Sequence, residues 1–150
     1  DYKTVLTAMK MMTTAQLSDY LKAKGVRPSA QRIAILRYLM ENPVHPTAEK
    51  IHEALVHDMP SLSLTTVYNT LNCLVAADCG VTMLTPDSRN AHFDFIEHPH
   101  AHSYCRSCGA IMDMELGGVA PGNDCCCGFH VEHVDVCYRG LCSDCYSKLN

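Results

Sequence analysis

Two C-x2-C pairs, Cys105/Cys108 and Cys142/Cys145, constrain this 150-residue chain more than any other feature. Two residues between cysteines let one tight turn present both thiolates to a single ion, and two such turns supply the four sulfurs of a closed tetrahedral site. The chain from Cys105 to Cys145 must then fold back on itself. Zinc is the ion expected, because the flanks lack the aromatic shell of a redox iron, although a rubredoxin-type iron site uses similar spacing. Cys108-Gly109 fits a knuckle turn in which glycine lets backbone amides approach sulfur without a side-chain clash.

A second donor cluster overlaps the first. The stretch AHFDFIEHPHAHSYCRSCGAIMD, residues 91–113, holds four histidines and two aspartates as well as Cys105 and Cys108. His100-x-His102 places both imidazoles on one face of an extended segment, since strand side chains alternate with period two. Asp94 and Asp113 lie in strand-like runs on either side. Nitrogen and oxygen donors of this kind suit iron or manganese, a harder site than the sulfur one. His45, on a loop in the first half, is the best candidate for a fifth donor.

The charge is unevenly divided. The formal net charge of -4 argues at first against nucleic acid, yet residues 1–79 hold eight Lys/Arg against seven Asp/Glu, and residues 80–150 hold four against nine. The acidic half is also the His- and Cys-rich half, so bound cations offset part of its charge. A neutral-to-basic reader joined to an acidic metal sensor satisfies both numbers. With 47% hydrophobic residues, no Trp and three Phe, the core is expected to be mostly aliphatic. No apolar run approaches the roughly 20 residues needed to span a bilayer, and the N-terminus lacks the pattern of a secretory signal. The expected location is the cytoplasm, where ten cysteines read as metal ligands or redox thiols rather than a disulfide framework.

The first half reads as helices followed by a hairpin. Residues 1–13 read as a flexible arm, then apolar spacing predicts a helix from Thr14 to Lys24, stopped by Gly25. A second opens at Pro28-Ser29, buries Ile33, Leu36, Leu39 and Met40, and ends at Asn42-Pro43. A third is capped by Thr47 and runs to Met59 before Pro60, with Ile51, Leu55 and Met59 inward. A fourth buries Leu64, Val67, Leu71 and Leu74 while presenting Ser63, Thr65, Thr66, Tyr68 and Asn69. Those short donors and acceptors with one aromatic suit base edges and phosphates at the start of a recognition helix, although a solvated polar face would look the same. Strand-like runs at Val81–Thr85 and Ala91–Phe95 complete the order of a winged helix-turn-helix.

The segments RPSAQRIAILRYL, VHPTAEKIHEAL, SLTTVYNTL, FDF, HAHSYCRSCG and LCSDC, read in that order, resemble the ferric-uptake-regulator family over about residues 15 to 148. The resemblance implies an α+β chain, with a winged helix-turn-helix DNA-binding domain at 14–95 and a small α/β metal-binding dimerisation domain at 96–150. It further implies a structural Zn(II) on Cys105, Cys108, Cys142 and Cys145, and a regulatory ion on His45, Asp94, His100, His102 and Asp113. Partners would be double-stranded operator DNA, touched by the fourth helix and by Arg27, and a second copy in a homodimer, with no membrane. Aspartates at 94 and 113, where iron-availability members usually carry glutamates, resemble the peroxide-sensing branch. So do Pro99 and Ala101, where further ligands are often interleaved. That branch implies repression lifted when peroxide meets Fe(II) and a ligand histidine, His45 or His100, is oxidised; Mn(II) would support binding without that chemistry.

Some features depart from the family. Gly117, Gly118, Pro121 and Gly122 oppose the amphipathic helix usual after Asp113, and predict a loop or a degraded helix. Cys125, Cys126 and Cys127 have no counterpart; they read as spare thiols, with a second redox switch or a haem thiolate as the sharper alternatives. Cys73 and Cys79 read as core thiols. Competing functions are an iron-, zinc- or haem-availability or thiol-redox regulator on the same fold, and a rubredoxin-like carrier or metal enzyme. No acid/base constellation supports an enzyme.

Overall fold

A serine or threonine starts each of the first four helices by accepting a backbone N–H of the opening turn, which would otherwise lack a partner. In a computed structural model that describes residues 11–86, 90–96, 98–116, 130 and 134–149, these caps are Thr13, Ser29, Thr47 and Ser63. They precede α1 (Thr14–Ala23), α2 (Ala30–Glu41), α3 (Ala48–Leu55) and α4 (Leu64–Ala76). Thr13 and Gln16 form a reciprocal capping box. At the other end of α1, Gly25 takes φ +74, and the Val26 N–H returns to the Leu21 carbonyl at 2.8 Å. Only glycine enters that left-handed turn without steric cost.

The third helix is shorter than its sequence pattern. Regular helix stops at Leu55, although the Met59 N–H still reaches the Leu55 carbonyl at 2.9 Å. His57 and Asp58 in the intervening turn are exposed, and Pro60 disfavours helical backbone at the residue before it. Leu55 and Met59 are half-buried and still pack against the core as the spacing predicts.

The chain divides into two compact units, residues 1–97 and 98–150. In the first, the four helices are followed by an antiparallel hairpin of β1 (Val81–Leu84) and β2 (His92–Phe95), with Val81 opposite Phe95 and Leu84 opposite His92. Ile35, Leu36 and Leu39 of α2, Ile51 of α3, and Val67, Leu71 and Leu74 of α4 are buried around Phe93 of β2. This is a winged helix-turn-helix with the aliphatic core that the composition predicts. Leu64, expected inside, is half-buried because it opens the helix, and Thr70 is buried instead. Cys79 is fully buried and Cys73 half-buried; burial pushes the Cys79 thiol up from its ordinary range.

The second unit is a small sheet with strand order β4-β3-β5. β3 (Ala101–Cys105) pairs antiparallel with β4 (Ile111–Met114) and parallel with β5 (Cys137–Gly140), and a short α5 (Ser143–Ser147) follows. Among its described residues the buried apolar side chains are only Ala101 and Cys105. A unit with so little core requires another source of stability, and a metal cross-link is the usual one. Together the chain is α+β, helices first and a small sheet after. Residues 1–10 of the expected arm, the expected loop at Gly117 to Gly122, and Cys125, Cys126 and Cys127 lie outside the described residues.

Candidate functional site

Cys105 ends β3, Cys108 sits in the turn after it, Cys142 caps α5 and Cys145 lies within α5. The parallel pairing of β3 with β5 brings the two turns together, and all four sulfurs fall within 4.8 Å of one another. Cys108 Sγ and Cys142 Sγ are 3.8 Å apart. Zinc–sulfur bonds of about 2.3 Å in a tetrahedron put neighbouring sulfurs about 3.8 Å apart, so the donor set fits such an ion. Backbone N–H groups of Cys108, then Cys142, hold the Cys105 thiol down at about 6. At Cys108 the Ala110 backbone works in the same direction, but the sulfurs of Cys105, Cys145 and Cys142 prevail and push it up to about 11. Gly109 has φ +75, and a Cβ added there would meet nothing within 4 Å. Its left-handed backbone, and not room for approaching amides, is what calls for glycine at this knuckle.

On the same unit, the register places His102 opposite Asp113, so both side chains leave one face of the sheet. His100 Nδ1 lies 2.9 Å from the His98 carbonyl, which requires the proton on Nδ1 and leaves the Nε2 lone pair directed outward. His100 Nε2 and His102 Nε2 are 3.0 Å apart. Asp113 Oδ1 is 3.4 Å from the first and 3.6 Å from the second. Metal–ligand bonds of about 2.1 Å give neighbouring donors about 3.0–3.4 Å apart; two of these separations fall in that range and the His102–Asp113 one lies slightly beyond it. The histidine side chains are 6% and 8% exposed and that of Asp113 is 46% exposed, so solvent reaches this group from the carboxylate side.

In the first unit, His45 and Asp94 are both buried, with His45 Nε2 4.0 Å from Asp94 Oδ1. That is beyond hydrogen-bond range. The imidazole nitrogen and carboxylate oxygen are donors of the kind that would hold iron or manganese. His45 has φ +50, a conformation that costs a residue with a Cβ about 1–2 kcal/mol. Such strain persists only where surrounding contacts over-determine it. Here His92 Nδ1 lies 2.7 Å from the His45 carbonyl and the Phe93 N–H reaches the Pro46 carbonyl at 2.9 Å.

The residues read as DNA contacts all lie in the first unit. Thr65, Tyr68 and Asn69 are exposed on α4. Ser63 and Thr66 share a 2.9 Å hydroxyl contact, and Ser63 Oγ also accepts the Thr66 N–H, so these two form the cap that starts the helix. Arg27, Ser29, Gln31 and Arg32 face Thr66 and Asn69 across a cleft of about 460 Å³. Arg32 steadies the turn by donating to the Arg27 carbonyl at 2.8 Å. Tyr68 donates its hydroxyl to the Glu49 carboxylate. That bond holds the Glu49 carboxyl below its usual range and pushes the Tyr68 hydroxyl above its own. Sequence reading passed over Arg32, Glu49 and His92. Arg32 had a signal, a basic residue three positions after the Ser29 cap; the bonds of the other two join distant parts of the chain.

The match to known proteins is broad. The model of the ferric uptake regulator family covers residues 23–138. This chain belongs to the ferric uptake regulator family. It is 38% identical over 136 residues to the peroxide operon regulator of Bacillus subtilis (strain 168), an overlap of 88% of this chain and 92% of that protein. The solved peroxide stress regulator of Campylobacter jejuni superposes with a TM-score of 0.65 at 26% identity, covering 90% of this chain and all of that one (100%). The Helicobacter pylori ferric uptake regulator, described as having three functional metal binding sites, gives 0.72 at 18% identity over 91% and 95%, a likeness of fold. The relatives are regulators and repressors, so this family member is a regulator and not an enzyme. Among the described residues no helix is long and apolar enough to cross a membrane.

Proposed function

We propose that this chain is a cytoplasmic, homodimeric repressor that binds operator DNA while a divalent ion occupies His45, Asp94, His100, His102 and Asp113, and that it releases DNA when hydrogen peroxide oxidises one of those histidines. The reading rests above all on the convergence of His100, His102 and Asp113 at donor-to-donor distances of 3.0, 3.4 and 3.6 Å. Aspartates at 94 and 113 and the 38% identity to a peroxide operon regulator support the peroxide branch. Bound Fe(II) would supply the electrons that reduce peroxide and generate the local oxidant. The exposed carboxylate of Asp113 gives a small solute access, and the buried imidazoles of His45 and His100 are the oxidisable groups. Mn(II) in the same ligands would hold the protein on DNA without that chemistry. The four-cysteine site holds Zn(II) as a structural ion.

The test is peptide mass spectrometry on protein loaded anaerobically with Fe(II) and given a small dose of hydrogen peroxide, beside a Mn(II)-loaded control. One added oxygen on the peptides containing His45 or His100, with iron alone, is the expected result. Unmodified histidines with oxidised Cys125–Cys127 would move the switch to thiols. Modification nowhere would favour an iron-, zinc- or haem-availability sensor.

On DNA, phosphates are contacted from the cleft holding Arg27, and base edges are read from Thr65, Tyr68 and Asn69. Tyr68→Ala is expected to weaken operator binding by about 1–3 kcal/mol while leaving random DNA nearly unaffected. Arg27→Ala is expected to weaken binding to both and to lower the salt slope by about one unit. Titrations of operator and random duplexes at several salt concentrations measure both effects. Equal losses for Tyr68→Ala on the two duplexes would remove it from the base-reading set.

A further inference from the structure

The backbone at His45 adopts a conformation that its own neighbourhood disfavours. Pro46 follows it, and the residue before a proline is normally driven to extended backbone with negative φ; His45 instead has φ +50. Just before it, the Val44 N–H turns back to the Asn42 carbonyl at 2.8 Å. What meets the loop is the start of β2. Thr47 and His92 form an isolated antiparallel bridge, the Phe93 N–H donates to the Pro46 carbonyl at 2.9 Å, and His92 Nδ1 lies 2.7 Å from the His45 carbonyl. A carbonyl only accepts, so the imidazole must carry its proton on Nδ1 and donate it. Two residues along the same strand stands Asp94, whose Oδ1 is 4.0 Å from His45 Nε2. One strand therefore supplies a carboxylate of the candidate ion site and splints the backbone of the imidazole facing it.

We infer that His92 is a positioning residue for metal binding. Its Nδ1–H fixes the His45 carbonyl, which sets the left-handed turn and holds the His45 ring toward Asp94 before any ion arrives. His92 itself is not a ligand. The inference rests on the reading of His45 as a ligand of the regulatory ion. Groups that orient ligands from behind typically change metal affinity by about 10- to 100-fold when removed.

The test uses the full-length, zinc-containing protein and Mn(II) alone as the probe, with affinity read by competition against a fluorescent chelator. His92→Phe keeps a ring and removes the donor, and is expected to weaken Mn(II) binding about tenfold or more. His92→Asn restores an N–H near the Nδ1 position and is expected to recover to within about threefold of the parent. The d–d absorption of Co(II)-substituted protein is expected to shift in the phenylalanine variant and return in the asparagine variant, a change that loss of bulk stability alone would not produce. If the phenylalanine variant does not fold, His92→Ala against His92→Asn reads the same difference. Parent-like Mn(II) affinity in His92→Phe, or equal losses in both variants, would overturn the inference. His45→Ala separates the two readings. If it loses Mn(II) while His92→Phe does not, the ligand assignment stands and the positioning role falls. If His45→Ala binds as the parent does, the ligand assignment falls and takes the inference with it.

Discussion

A Cys142→Ser chain is expected to lose the zinc proposed for the four-cysteine site and the order of its second unit together. Among the described residues that unit buries only Ala101 and Cys105 as apolar side chains, a small core for the conformational entropy of those residues alone. Structural zinc in small all-ligand sites contributes about 10–16 kcal/mol of apparent binding free energy, and that binding is coupled to folding. A serine at 142 leaves three sulfurs and breaks the 3.8 Å contact between the turns after β3 and before α5. Zinc per chain, measured by mass spectrometry of the metal, is expected to fall from near one to near zero. Amide signals from residues 98–116 and 134–149 are expected to collapse, while those of α1 to α4, with their own aliphatic core, persist. A variant that stays zinc-free yet keeps a well-dispersed β3–β5 would mean that the sheet is held by something else.

Phe93→Ala is expected to produce the largest loss within the first unit. Phe93 is 1% exposed and belongs to the helical core, and it stands in β2 between His92 and Asp94. Emptying a buried phenylalanine site costs about 3–5 kcal/mol. In a domain of this size that lowers the thermal midpoint by about 12–40 °C. The loss should extend to the metal, because the Phe93 N–H to Pro46 bond and the His92 contact to His45 both depend on the seating of the strand. Helical circular dichroism against temperature, with Met112→Ala on the exposed side of β4 as a control, measures the first effect. A shift in Phe93→Ala no larger than the control's would mean that the core closes over the space.

The helices were readable because their signals are local. A hydroxyl at position 13, 29, 47 or 63 meets an N–H three residues on, and apolar residues at spacings of three and four find one another on a single face. The end of α3 was less legible: Leu55 and Met59 do pack on the core, but regular helix stops before the exposed His57-Asp58 turn that precedes Pro60. The fourth helix showed both sides of this. Val67, Leu71 and Leu74 could be placed inward from spacing, whereas Ser63 and Thr66, read as DNA contacts, also form the helix cap, their hydroxyls paired with each other and the Ser63 oxygen accepting the Thr66 N–H. A short polar residue at a helix start serves either purpose, and only the geometry distinguishes them.

The candidate metal ligands divide in the same way. A C-x2-C turn is a local object whose chemistry is complete in four residues, so the sequence alone determined that two thiolate pairs exist and that they suit one tetrahedral ion. His100-x-His102 was likewise determined by the period of an extended strand. Tertiary structure decided what those groups meet. Pairing of β3 with β5 closes the four sulfurs, and pairing with β4 sets Asp113 against both imidazoles. The bond from His92 to the His45 carbonyl spans 47 positions. Every residue has a carbonyl, so its use as an acceptor leaves no trace in residue type, and the strain at His45 becomes visible only once the backbone has a conformation. Sequence determines which side chains can bind an ion; the fold decides which of them are held ready to do so, because that depends on contacts between segments whose separation carries no local signal.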